Sequence, residues 1–253
     1  MRTIPRFLLA SFLFPVCFCV AQTPSQPQHA PDGGTRETFS SISIPSLPNA
    51  PFTATVNTEW IRHLPDGSDI TLKNHRSIAR DAKGRIFQER RYFVPDDGKH
   101  ESTVTQIEIS DPATHERYVC RVAEHVCRLE PFVDLDSVSQ AKPNASGVES
   151  LGTQTISGLQ TVGSRETRVI ATGAIGNESP ILERREFWYS PLLGVNLITK
   201  REDPRFSSQQ NFEVTNIDLG EPDTKLFEPP SGYKILDLRK LPEVPSSQAA
   251  SVN

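Results

Sequence analysis

The feature that most constrains this chain is a period of two. Phe52, Ala54, Val56, Thr58 and Trp60 alternate with Thr53, Thr55, Asn57 and Glu59. Successive side chains of an extended strand point to opposite faces, so the run reads as a strand with one buried face. Ile70, Leu72 and Ile78 keep one parity through ITLKNHRSIAR, and GRIFQERRYFV, STVTQIEIS, LQTVGSRETRVIATG, ILERREFWYS, VNLITKRE and NFEVTNIDLG continue the pattern. Prolines at 51, 65, 95, 112, 131, 143, 180, 191, 204 and 222 fall between the runs. Proline cannot donate to a sheet ladder, so these positions mark strand boundaries. No segment of helical length carries a 3.6-residue apolar stripe; short helical turns are expected only near Val133–Ser139 and Asp223–Phe227. The expected fold is mainly β: a strongly curved antiparallel meander of about ten strands, apolar on one face and bearing Glu, Arg, Lys and Gln on the other. Such a sheet must cover its apolar face by curling, by a small plug, or by a partner or ligand.

The region ahead of the strands bounds the compartment. Arg2 and Arg6 precede an apolar run from Phe7 to Val20, and the small Ala21 suits a signal peptidase pocket, so residues 1–21 read as a cleavable signal peptide. The run falls short of the ~20 apolar residues that span a bilayer, and Pro15 interrupts it. Neither Cys17 after Val16 nor Cys19 after Phe18 has the small preceding residue of a lipoprotein signal. The expectation is an exported protein, periplasmic or extracellular, with no transmembrane segment in its mature chain. Residues 22–50, rich in Pro, Ser, Gln and Gly, read as a flexible lead; 51–240 as a single β-rich domain; 241–253 as a disordered tail. Loss of Arg2 and Arg6 takes the net charge from −4 to −6, which offers nucleic acid no electrostatic footprint.

The signal also settles the cysteine arithmetic. Cys17 and Cys19 leave with it, and Cys120 and Cys127 remain. In RYVCRVAEHVCRLEPF a hairpin centred between Ala123 and Glu124 sets Cys120 directly opposite Cys127. The same register pairs Tyr118 with Leu129 on that face and turns Val119, Arg121, Val126 and Arg128 to the other. Directly opposed residues lie within disulfide reach, and an oxidising compartment favours the bond. The spacing lacks the two-residue gap and helix N-terminus of redox pairs, so the disulfide is expected to be structural.

No catalytic, cofactor or metal motif stands out. His115-Glu116 has no second histidine at Val119, and no nucleophile elbow, phosphate loop or dinucleotide fingerprint appears. His115 and His125 are expected to come near each other across the cysteine hairpin, without a third ligand. Val56, Trp60 and Trp188 are the candidates for contacting an apolar ligand, although both tryptophans also read as core.

The run HRSIARDAKGRIFQERR (75–91) resembles the RD-x-x-GR-x-x-x-E hairpin of a large group of uncharacterised exported bacterial proteins. Ile109-Ser110-Asp111-Pro112 and Trp188-Tyr189-Ser190 follow in the order found there, and the likeness runs from about Phe52 to Ile235. That group is in turn similar to the lipoprotein-carrier (LolA/LolB-like) superfamily. The resemblance implies a half-barrel whose concave side can hold acyl chains. Two readings of function follow. In the first, an exported non-enzymatic binding protein holds an apolar ligand, a lipid or acyl group. In the second, an envelope interaction or stress-sensing module binds another exported or membrane protein. Neither needs a cofactor.

Overall fold

The computed structural model describes residues 41–133 and 147–240. The signal segment, most of the lead, the loop around Asp134–Ser139 and the tail lie outside the described residues. Thirteen strands among those described form one open, curved, mainly-β half-barrel. In chain order they are β1 (Phe52–His63), β2 (Asp69–Arg80), β3 (Ile86–Arg91), β4 (Val94–Pro95), β5 (Val104–Asp111), β6 (Glu116–Arg121) and β7 (Val126–Pro131). There follow β8 (Gly147–Ile156), β9 (Leu159–Ile170), β10 (Ile181–Ser190), β11 (Val195–Asp203), β12 (Ser208–Asp218) and β13 (Lys234–Asp237).

The spatial order is β13-β7-β6-β5-β3-β2-β1-β12-β11-β10-β9-β8, with β4 paired to β2 beside this path. β1 is therefore the spine. On one edge it pairs with β2, and on the other with β12. Two departures from a pure meander are visible. β13 runs parallel to β7, because residues 219–233 carry the chain back across the molecule before it pairs. Pro95 lies within β4 and Pro131 ends β7, so proline does not fall only between strands. Both positions need no ladder donation from the missing N–H.

Tight turns join the strands as their residue types demand. In Asp81–Gly84 the amide of Gly84 donates to the carbonyl of Asp81 at 3.0 Å, and Gly84 takes φ +82°, a conformation natural to glycine. The Asp81 carboxylate accepts from the amides of Lys83 and Arg85 at 3.0 and 2.8 Å and pairs with the Arg85 guanidinium at 2.7 Å.

Both faces of the sheet are buried somewhere, which corrects the expectation of a single apolar face. On the first, Phe52, Ala54, Val56, Ile78, Leu197 and Val214 pack together, each 6% exposed or less. Burial of one such side chain contributes about 1.5–3 kcal/mol. Residues 41–46 lie over them as a strap, contributing Ile42 and Ile44 to the same cluster. The end of the lead thus belongs to the folded domain: its Ile-Ser-Ile alternation is a small apolar plug in a segment that is polar on average. On the second face Ala79, Phe87 and Ile109 pack under Phe227 of a short 3-10 turn, Thr224–Phe227, where the second helical turn was expected. These are called here the strap face and the tail face.

Two buried arginines fasten the strap. Arg80, 0% exposed, donates to three carbonyls, those of Ala50, Pro45 and Leu193, each at 2.9 Å. Arg76 donates to the Ser41 hydroxyl at 2.7 Å and to Gln88 at 3.0 Å. Burial draws both guanidiniums down to a pKa of about 10, so they remain charged at neutral pH. Arg80 is thus interior, and Glu89 accepts from the Ser77 amide at 3.1 Å and from Arg91 at 2.9 Å.

The cysteine hairpin takes the expected register: Tyr118↔Leu129, Val119↔Arg128, Cys120↔Cys127, Arg121↔Val126. The Cys120–Cys127 disulfide is formed and both residues are fully buried. His115 and His125 do not meet. The amide of Phe132 bonds the carbonyl of His115 at one end of the hairpin, while that of His125 bonds Val122 at the other. A strand of this length holds them about 20 Å apart. The ring of His125 lies instead 5.2 Å from that of Tyr233, where the residues after Pro229-Pro230 clamp the chain end onto β7.

Candidate functional site

Directly paired residues of a ladder project to the same face, so register assigns the side chains. Asn57, Glu59, Lys73, His75, Asn211 and Glu213 share the tail face at the middle of the sheet, where β2, β1 and β12 run side by side. The turn between β3 and β5 folds over this polar floor and is held by β4, whose Val94 and Pro95 pair back onto Lys73 and Leu72. Between floor and turn lies a cavity of ≈ 770 Å³, in the range of small-ligand pockets.

Most of the residues that line the cavity are polar or charged, and the hydrocarbon of their side chains and backbone makes up the rest of its wall. Lys73 Nζ bridges Asp96 at 2.8 Å and Glu59 at 3.4 Å, and its pKa is raised first by Asp96. Asn211 donates to Glu59 at 3.0 Å and Gln209 to Asn211 at 3.0 Å. A single hydrogen-bonded chain thus crosses the floor, and His75, Glu213 and Asn57 line the cavity beside it. In the turn, His100 pairs with Asp97 at 2.9 Å. Ser102, buried in the same wall, gives its hydroxyl to the carbonyl of Tyr92 and is not presented as a nucleophile. What this surface can do is exchange hydrogen bonds with an extended polar segment.

The strap face beside the core carries a second polar network. Glu108, 4% exposed, accepts from Gln88 at 2.9 Å, Arg90 at 2.9 Å, Gln106 at 2.7 Å and Arg117 at 2.9 Å. Burial acts to raise its pKa, but the hydrogen bonds and charges of Arg90 and Arg117 outweigh it and hold the carboxyl below its ordinary value. The network links through Gln88 and Arg76 to the strap, so it orders the interior of the sheet. No group of three metal-ligating side chains occurs among the described residues.

The structure separates the three residues read as apolar-ligand contacts. Val56 and Trp60 share the strap face. Val56 is 0% exposed inside the core, whereas Trp60 is half-buried, with Phe93 edge-on at 6.5 Å and the Arg62 guanidinium 4.9 Å from its ring. Trp188 pairs with Ile198 and Gly163 on the opposite face, and its Nε1 donates to Glu186 at 3.1 Å. Its ring fills the space of an absent side chain at Gly163, where a Cβ would sit 2.6 Å from it. The cavity was missed from sequence because its wall, PDDGKHES, reads only as a turn. Its floor residues are the polar halves of alternating strands.

No protein-family model and no curated protein matches the chain. Among solved structures it is similar to an uncharacterized conserved protein of Thermus thermophilus, at 10% identity and TM-score 0.39, over 75% of this chain and 91% of that one. It is similar to the MucA/MucB complex of Pseudomonas aeruginosa, at 13% identity and TM-score 0.39, over 74% of this chain and 58% of that one. A LolA superfamily protein of Nitrosomonas europaea is also matched, at 10% identity and TM-score 0.31, over 72% and 91%. Function has to be read from this chain's own residues. Among those described, no helix is long and apolar enough to cross a membrane.

Proposed function

We propose that the protein is a non-enzymatic interaction module of the cell envelope, whose tail-face cavity holds an extended polar segment of another exported or membrane protein. One observation carries this reading: the central apolar core is filled by the chain's own side chains and strap, while the open cavity is lined mostly by polar and charged residues, Asn57, Glu59, Lys73, His75 and Glu213 among them. The buried acids Glu108 and Asp81 are committed to arginines, which supports a binding role over acid–base chemistry. The test is site-specific photo-crosslinking in the periplasm from position 57, with position 148 on the edge strand as control. The expected result is one reproducible partner captured from position 57 and lost on Lys73→Ala. Equal capture from both positions, or none from position 57, overturns the reading.

A second reading, a lipid or acyl ligand held at the strap face, is favoured by the half-buried Trp60–Phe93 pair beside the partly exposed Ile70. Of the three ligand candidates only Trp60 is placed to serve it without opening the core. Uptake of a fluorescent fatty acid that fails in Trp60→Ala would establish this reading; an acyl chain absent from native mass spectra of the purified protein removes it.

A further inference from the structure

On the strap face of the C-terminal strands, Arg185 of β10 stands directly opposite Arg201 of β11. Directly opposed residues of an antiparallel pair lie about 5 Å apart at Cα, where like charges repel. Two acids of the same face are engaged by other arginines, although the charge of Arg185 also acts on Asp203. Glu183 pairs with Arg168 at 3.4 Å and with Arg205, and Asp203 with Arg205 at 2.6 Å. Glu166 faces Arg185 from β9, yet no ion pair joins them among the described residues. Arg201 lies half covered against the Phe212 ring, 5.8 Å from its centre, and its Nε–H is buried without an acceptor. Burial, and then the charge of Arg185, lowers the Arg201 pKa. Two guanidiniums brought together, one with an unused buried donor, offer an anion a pair of donor forks.

We propose that Arg185 and Arg201 form a binding site for a phosphate-type oxyanion. The planar guanidinium fork matches the oxygens of such a group bidentately, and the flanking Phe212 lowers the local dielectric, which strengthens the contact. Gln210, paired with Arg201 on β12 and 9% exposed, adds an amide to the same row. The site lies on the face opposite the cavity and does not depend on what the cavity holds. The oxyanion has two sources, a soluble phosphate or a lipid headgroup.

Calorimetric titration of the protein with inorganic phosphate, and flotation with phosphatidylglycerol against phosphatidylcholine vesicles, separates these sources. Saturable phosphate binding is expected, weakened about tenfold or more by Arg185→Gln and by Arg201→Gln, as loss of a charged hydrogen bond implies. Arg184→Gln, one residue along β10 and on the other face, should leave it unchanged. Flotation with phosphatidylglycerol alone, with the same pattern of variants, assigns the site to a headgroup. Should Arg201→Gln fail to fold, Arg185→Gln still tests the site, because Arg185 is exposed. Absence of binding to both probes overturns the proposal. So does binding that survives both substitutions, or that falls equally with Arg184→Gln.

Discussion

The two halves of the sheet, β1–β7 and β8–β12, are held together by different physics. In the first half each face carries a covered cluster, under the strap on one side and under Phe227 on the other, and the outer hairpin is closed by a disulfide. The second half joins the core mainly through Leu159, Leu193, Val195, Leu197, Phe212 and Val214. Farther out it leaves Val148, Val169 and Leu182 more than 40% exposed. There its strands are laced by charge: Arg165 of β9 bridges Glu149 of β8 at 3.1 Å and Glu186 of β10 at 2.9 Å. Exposed ion pairs add little stability, but they resist a one-residue slip that would invert a strand. The first half is built for stability, and the second for register and surface chemistry.

The comparison breaks most readily at the core. Phe52→Ala should cost about 3–5 kcal/mol in urea unfolding, whereas Val148→Ala should stay within about 0.5 kcal/mol. Equal costs would mean that the halves are not distinct. Cys120→Ser with Cys127→Ser opens a short loop and should cost about 2–3 kcal/mol, matched by adding reductant to the wild type. Gly163→Ala tests the second half at a close contact. A Cβ there meets Trp188 at 2.6 Å and Leu151 at 2.9 Å, so a loss of about 1–3 kcal/mol and a shift in Trp188 emission are expected.

Acid titration sharpens the contrast further. The folded-state pKa of Glu108 is depressed, so its contribution is complete above the ordinary carboxylate value and is lost as pH falls through the lowered one. Glu108→Gln should therefore be less stable than wild type at neutral pH, with the gap narrowing on acidification. A constant gap would show that Glu108 acts through packing alone. The smallest effect belongs to Arg184→Ala, whose pairing with Glu202 at 3.9 Å is more than half exposed, and its stability should change by less than about 0.5 kcal/mol.

Much of the fold was legible because a strand's period is local. The alternation in Phe52–Trp60 gave β1, and the spacing of Cys120 and Cys127 gave the register of β6 and β7 in full. What was not legible depends on which strands become neighbours. The parity of ITLKNHRSIAR was read correctly, but its polar members Arg76 and Arg80 share the face of Ile78 and are interior. Nothing local announces that the acceptors of Arg80 are carbonyls at Pro45, Ala50 and Leu193, or that Arg76 reaches Ser41. Average composition hid Ile42 and Ile44 in a polar lead. The cavity likewise needs β1, β2 and β12 side by side, a pairing visible only once the sheet exists. Two short strands, β4 and β13, are too brief to alternate, which is why about ten strands were expected and thirteen are present.

The place of β1 also has a consequence in time. The hydrogen bond from Asn57 to Thr215 closes a loop of 158 residues, so pairing along that edge has a high contact order and is slow. β2 to β7 can zip onto β1 hairpin by hairpin as they appear, but its other edge waits for β12, nearly the last strand made. Until then a row of unpaired amides and carbonyls stands open to any passing strand. The consequence is an order of assembly: the sheet cannot shut before β12, and with it almost all of the strands, is present.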